Sequence, residues 1–364
     1  MKQRVIIFLT ILLLSNTNLW AAEKTDLVKY VNTLQGTNSS FELTRGNTYP
    51  TTALPFAVHT WAAQTGINGD GWKYQYTKDS IRGFQQAHQC SSWTNDYCVF
   101  SLMPTVGKLA TNQYERAAKF SHKNEIAKPN YYKVTLDNKI TTEMSPTERG
   151  VHIRFTYPKK TASYLTLDGY TGMSMVKIIP EENKVVGYVH NGRGLTENFK
   201  NYFVIQFDKP IIEYGTWDNR SGGNFKGEIT REGKGIGAWF RFADGAKVQA
   251  KIASSYISPE QAELTLENEL GKFKLLEETK AAAWKIWNDH LHQILVEGGT
   301  EEEKATFYSC FFRASLFSRQ FFEFDKNGNP YYFSPYDGKV HQGYLYTDTG
   351  FWDTFRAQFP LNAL

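Results

Sequence analysis

The sequence predicts a mainly β protein: an N-terminal antiparallel β-sandwich, then a helical linker, then the first helices of a second, helical unit. Three observations carry this. Short runs that alternate apolar and polar residues fill residues 130–258, broken by turn-forming spacers and with no helices between them. The alternation stops at Ser258, where a helix-start signal stands. Beyond Gly299 two aromatic-rich stripes at helical spacing follow, too apolar to stand in water as an isolated pair. At 364 residues the chain also exceeds what one hydrophobic core usually holds.

Taken in order, residues 1–22 read as a secretory signal peptide. A basic start is followed by a short apolar run at residues 5–14 and by Ala21 and Ala22 at a plausible cleavage point. The run is too short to span a bilayer, no cysteine follows it to take a lipid, and no other apolar run approaches eighteen residues. The expectation is an exported protein, periplasmic or secreted, without a membrane anchor. Residues 23–257 form the β-domain, where "YYKVTL", "GVHIRFTY", "NYFVIQF" and "KVQAKIASSYI" alternate and "DNK", "NGRG" and "ADGA" turn. Residues 258–299 are the linker helices. "SPEQ" pairs Ser258 with Gln261 as a capping box and puts proline at the first helical position. Ala262, Leu266 and Leu270 follow, Gly271 breaks or bends the run, and a second stripe carries Leu276, Trp284, Trp287 and Leu291. Residues 300–364 begin the helical unit. One helix shows Phe307, Cys310, Phe311, Ala314, Phe317 and Phe321 on one side, a polar loop follows, and a last helix opens at Asp348 or Thr349.

Composition narrows the function classes. Without Lys2 and Arg4, which the signal peptide removes, 39 Lys and Arg stand against 37 Asp and Glu, and no basic cluster suggests nucleic acid. Aromatics are abundant: 9 Trp, 21 Tyr and 25 Phe. A large core accounts for most of them, and a sugar-stacking cleft would account for others. Three cysteines match no zinc spacing. Cys90 and Cys98, eight apart, suit either a disulfide or two free thiols, and export favours the disulfide; Cys310 reads as a buried core thiol.

Three segments carry a resemblance. Residues 30–56 contain "YVNTLQGT" and "RGNTYPTTALPF". Residues 71–104 read "GWKYQYTKDSIRGFQQAHQCSSWTNDYCVFSLMP". Residues 331–361 read "YYFSPYDGKVHQGYLYTDTGFWDTFRAQFPL". Together, and in this order, they resemble family 92 of the glycoside hydrolases, the calcium-dependent exo-α-mannosidases. The resemblance implies an N-terminal β-sandwich, linker helices and a C-terminal (α/α)6 barrel that begins near residue 300. It also implies inverting hydrolysis of terminal α-mannosides in mannose-containing glycans. Family members are much longer, so the chain is expected to stop early in the barrel. The general acid, the general base and most calcium ligands are then expected outside it, and the 364-residue chain alone is expected to be inactive.

Several residues are expected to bind substrate. Trp352 and Arg356 share a helix face, with Asp353 beside them. Spacing alone also fits a surface ion pair and a core tryptophan, whereas the resemblance assigns all three to sugar binding. His88 and Trp93, otherwise a hydrogen-bonded loop histidine and a core ring, are placed by it in a loop facing the same cleft, with Gly71 and Trp72 nearby. The "H…W.NDY" form leans towards α-1,2 linkages. Cys98 stands where the family's pattern has glycine, and Cys90 stands near its prolines. Two other classes fit the residues: a non-catalytic carbohydrate-binding protein, and a structural β-sandwich remnant.

Overall fold

The computed structural model describes residues 25–38, 48–67, 73–88, 96–192, 194–347, 354 and 356–363. The expected signal peptide lies outside the described residues.

Two antiparallel sheets make the β-domain. One has seven strands, in the spatial order Thr60–Gln64, Gly83–Ala87, Ser101–Val106, Ser163–Asp168, Ile236–Phe242, Glu213–Asp218 and Gly223–Lys226. The other has ten: Thr230–Lys234, Met173–Ile179, Lys184–His190, Asn201–Phe207, Lys247–Ser255, Gly150–Thr156, Thr141–Pro146, Tyr131–Leu136, Ala118–Lys128 and Ser80–Ile81. They face each other across one core. Phe84 meets Tyr132 with ring centroids 6.4 Å apart, and Phe207 meets Phe240 and Phe242 at 5.4 and 5.2 Å. The alternation of "YYKVTL" is realised directly, with Tyr132, Val134 and Leu136 buried and Lys133 and Thr135 part-exposed. Pro104 is tolerated inside Ser101–Val106 because pairing to Gly83–Ala87 covers only Ser101 and Leu102. The full-length partner is Ser163–Asp168 on the other side.

The strands begin at Thr60, well before the alternating region. Gly83–Ala87 is buried throughout, Gln85 and Gln86 included. The Gln86 carboxamide donates to Ser254 Oγ at 3.0 Å and accepts from Asn201 Nδ2 at 2.6 Å, which joins the two sheets through a satisfied polar bridge.

Helices follow the last strand. Helix α1 (Pro259–Leu266) starts with the Gln261 N–H donating to Ser258 Oγ at 3.1 Å. The Gln261 side chain does not complete the box; it donates to the Phe324 carbonyl at 2.8 Å. A π-turn over Glu267–Gly271 ends the run at the glycine. Helix α2 (Leu276–Leu291) crosses the outer face of the ten-stranded sheet, where Arg154 bonds both Glu143 and Glu277. Helix α3 (Glu301–Ala314) has the reciprocal Thr300–Glu303 box. A second core forms where α2 and α3 close on residues 27–31 and 53–57, around Trp287, whose indole donates to the Ala53 carbonyl at 2.6 Å.

Three expectations for this part are corrected. Helix α3 ends at Ala314 and buries Tyr308, Ser309, Phe311 and Phe312. Its covered face is therefore rotated from the expected stripe, Cys310 is exposed, and Phe317 and Phe321 lie beyond the helix. The expected polar loop contains a three-stranded sheet, Glu323–Phe324, Pro330–Phe333 and Val340–Gln342. The last helix is not continuous over its described part: Thr354 is helical, residues 356–357 turn, and Gln358–Leu361 forms one short helix. Pro360 explains the break, since its ring opposes the carbonyl of Arg356, four residues earlier.

Candidate functional site

The strands Thr60–Gln64 and Gly83–Ala87 pair with Thr60 opposite Ala87, so His59 and His88 emerge side by side at one end of the seven-stranded sheet. Their rings are 5.0 Å apart, and His59 Nδ1 lies 2.9 Å from His88 Nε2. The tautomers follow from the partners. His88 Nδ1 is 2.7 Å from the Tyr97 carbonyl, which only accepts, so Nδ1 carries the proton and Nε2 accepts from His59. Burial lowers the pKa of both rings, His59 most, and keeps the pair neutral.

Asp96 closes this corner. It accepts from the backbone N–H groups of His88 and Tyr97 and pairs with Lys73 at 3.0 Å. Burial alone would raise its pKa, but Lys73 and the bonds from His88 outweigh that and hold the carboxyl well below the usual range. Across from it, Arg319 is fully buried, donating to the Val58 carbonyl and to the Tyr97 hydroxyl, each at 3.0 Å. An aromatic stack continues the contact. Tyr256 lies between Phe199 and Phe321, at 4.9 and 4.6 Å, and His59 packs on Tyr256 at 5.2 Å. Arg149 donates to the Phe322 carbonyl, and Glu323 accepts from the Tyr256 N–H at 2.9 Å. Burial pushes the Glu323 carboxyl up to about 7, against the pull of Ser255 and Arg149. Residues 317–333 are thus bolted to the β-domain through a buried polar and aromatic seam.

The structure places two of the seven expected substrate residues. Arg356 is exposed at the turn before the last short helix. His88 lies in the seam, fully buried with both ring nitrogens engaged inside the protein. This corrects the expectation that its ring is open to a cleft: in this arrangement it holds the 96–97 backbone. Trp93, Gly71, Trp72, Trp352 and Asp353 lie outside the described residues. So does Cys90, but Cys98 is described, and its thiol is free and buried. The expected disulfide is therefore not made. Cys98 has a left-handed backbone (φ 49°), which explains the glycine that the family's pattern has there, and its side chain joins the sandwich core. Burial pushes its thiol pKa far up.

Calcium does not fit what is described. Among the described residues no group of three or more His, Cys, Asp or Glu side chains is arranged to hold a metal ion. The seam carboxylates Asp96 and Glu323 are buried and bound to protein groups. The seam itself was not legible beforehand. Lys73, Asp96 and Arg319 are single residues in stretches far apart in sequence, and only the adjacency of Lys73 and Asp96 to "GW" and "NDY" marked them.

A two-sheet domain locked through one buried seam to the segment that follows α3 defines a two-part architecture, and comparison with known proteins gives it a family. Residues 30–255 match the glycosyl hydrolase family 92 N-terminal domain, and residues 261–364 match the family 92 catalytic domain. The chain belongs to glycosyl hydrolase family 92. The catalytic-domain match opens within α1 and so takes in the linker helices. An inverting mannosidase of the family from Bacteroides thetaiotaomicron is 44% identical, with a TM-score of 0.89, over 92% of this chain and 46% of its own. A second family 92 α-mannosidase from that organism shares the fold at 24% identity and a TM-score of 0.79, over 93% of this chain and 47% of its own. An uncharacterized secreted glycosidase of Arthroderma benhamiae is 22% identical, over 88% of this chain and 46% of the relative. The chain spans about half the length of these relatives.

Proposed function

We propose that this chain is the β-domain and the opening of the catalytic domain of an exported, inverting exo-α-mannosidase. It acts on mannose-containing glycans, with a lean towards α-1,2 linkages. The observation that carries this is the 44% identity to an inverting mannosidase across 92% of the chain. Trp352, Asp353 and Arg356 grip the terminal sugar, Asp353 and Arg356 through charge-assisted hydrogen bonds and Trp352 through ring packing. Trp93, Gly71 and Trp72 border the same cleft, and His88 positions the loop that carries them. Calcium is held by residues beyond those described.

Inverting hydrolysis needs one carboxylic acid on the leaving oxygen and one carboxylate on water, about 6.5–9.5 Å apart. Glu323, with its raised pKa, has the proton affinity of a general acid. It is nevertheless buried behind Tyr256 and Arg149, where no glycosidic oxygen reaches it. Asp96 is held ionised by Lys73 and is equally enclosed. Neither supplies the pair, so the 364-residue chain alone is inactive.

The test uses a protein of full family length that begins with this chain. Trp352→Ala, Asp353→Ala and Arg356→Ala should each lower kcat/KM for mannobiose hydrolysis roughly ten- to a hundredfold. Parental kinetics in all three folded variants would show that these residues do not touch substrate.

A further inference from the structure

The dipeptide Asp96–Tyr97 is tied to stretches of chain that lie far apart in sequence. The Asp96 carboxylate accepts from the His88 N–H at 2.9 Å, which closes the neck of residues 89–95. It also meets the Lys73 ammonium at 3.0 Å, at the neck of residues 66–72, where the Lys73 carbonyl accepts from the Thr65 N–H at 2.8 Å. The ionised side chains are 2% and 5% exposed, so removing either leaves the other uncompensated.

Tyr97 adds a tie in another direction. Its hydroxyl accepts from Arg319 Nη2 at 3.0 Å, while Arg319 Nη1 donates to the Val58 carbonyl at 3.0 Å. Arg319–Gln320 is a short strand paired with Tyr346–Thr347, with Arg319 opposite Thr347, and the Phe321 N–H donates to the Leu345 carbonyl at 2.8 Å. Thr347 runs directly into the stretch that carries Trp352, Asp353 and Arg356. On the sandwich side Asn191 holds the continuation of the dipeptide. Its carbonyl accepts from the Cys98 N–H at 2.7 Å and its side-chain oxygen accepts from the Val99 N–H at 3.0 Å.

We propose that Asp96 and Tyr97 are positioning residues for the substrate cleft. Asp96 sets Gly71 and Trp72 against Trp93 through Lys73 and His88, and Tyr97 sets that wall against Trp352, Asp353 and Arg356 through Arg319. The inference deepens the mannosidase reading and rests on it. Neither side chain touches sugar. A pyranose gripped from separate stretches is bound only when all of them reach it together, and a misplacement of about 1 Å costs up to about a hundredfold.

Kinetics of a family-length protein that begins with this chain test it. Tyr97→Phe deletes the hydroxyl and keeps the ring that stacks on His88 at 4.8 Å, so the variant should fold. It should lower kcat/KM for mannobiose about tenfold, mainly through KM, but less than about twofold once Arg356→Ala is present, because it acts through that wall. Lys73→Met combined with Asp96→Asn removes both charges together, and it should raise KM about tenfold except in a Trp93→Ala background. Tyr157→Phe, which deletes a comparable bond to the Tyr164 carbonyl within the sandwich, should leave the kinetics unchanged. Hydrogen exchange gives a readout that needs no turnover: Tyr97→Phe should speed exchange in residues 318–321 and 345–347, and Tyr157→Phe should not. Additive kinetic losses in the combined variants, or unchanged exchange in those residues, would each overturn the proposal. A parent that releases no mannose while its Tyr97→Phe variant shows the faster exchange would instead count against the mannosidase reading and leave the positioning by Tyr97 standing.

Discussion

In the β-domain, Trp61, Phe84, Phe100 and Phe203 are wholly enclosed, and even the polar Gln86 and Asn201 are paired across the core. After α3 the pattern reverses. Tyr336 is 81% exposed and Tyr344 and Tyr346 are 60% and 58% exposed, while the buried groups of that segment mix the charged Arg319 and Glu323 with the rings of Phe321, Phe322 and Phe333. The two regions thus spend their side chains differently. The β-domain is held by apolar burial of its own making, which is worth about 25 cal/mol per Å². The later segment adds to its few buried rings a set of directed polar contacts to a neighbour, each of which is expensive to leave unmade. Orientation at the seam therefore depends on protonation and hydrogen bonding to a degree that the β-domain core does not.

The largest expected difference between the regions is in thiol reactivity. Cys310, exposed on α3, should react with a maleimide on the order of a thousandfold faster than Cys98, which must await opening of the sandwich. Site-resolved mass spectrometry gives the two rates, and comparable labelling of both in the native protein would break the contrast.

The seam should also make stability depend on pH. Glu323 binds its proton more tightly folded than unfolded, with a pKa of about 7 against an ordinary 4.5. Its contribution is full below the unfolded value and is lost as pH rises towards 7, a change of about 3 kcal/mol. His59 and His88 act in the opposite sense. Their folded pKa values lie below 6.5, so their contribution is present above that and is lost as pH falls through the lowered values. The histidine contribution is common to the parent and Glu323→Gln, so denaturant unfolding at about pH 5 and about pH 8 should show the parent losing more stability, or gaining less, than Glu323→Gln as pH rises. The same change in both proteins would show that Glu323 does not carry the pH dependence.

The smallest effect is expected at the exposed rings. Tyr336→Ala should change unfolding free energy by less than about 0.5 kcal/mol. A cost of several kcal/mol would mean that this surface is covered in solution.

The later strands of the sandwich were legible because one face of each is wet. Lys133 and Thr135 alternate with Val134 and Leu136, and the period of two shows. Gly83–Ala87 was not, since both of its faces are buried and its glutamines satisfy each other's sheets, which leaves no polarity pattern to read. The small sheet over residues 323–342 was hidden for the converse reason, with most of its residues half-wet and its turns rich in Gly and Asn. The helix start at Ser258 was local chemistry and was found; the break before Pro360 was equally local and was passed over. At the site, sequence pointed to His88 but not to what surrounds it. His59, Asp96 and Arg319 are brought together only by strand pairing and by the return of the chain after α3. The free thiol of Cys98 depended on a backbone angle that cysteine spacing does not reveal.

The proposal that this chain opens an inverting α-mannosidase stands or falls on stereochemistry. The most direct measurement follows the anomer of mannose released from an α-linked mannobiose, by proton NMR in the first minutes of reaction. The protein is one of family length that begins with this chain, with the 364-residue chain alone assayed beside it. β-Mannose is expected first from the long protein, with the α anomer growing in only by mutarotation, and no release from the short one. α-Mannose first, or turnover by the short chain that survives repurification, would contradict it.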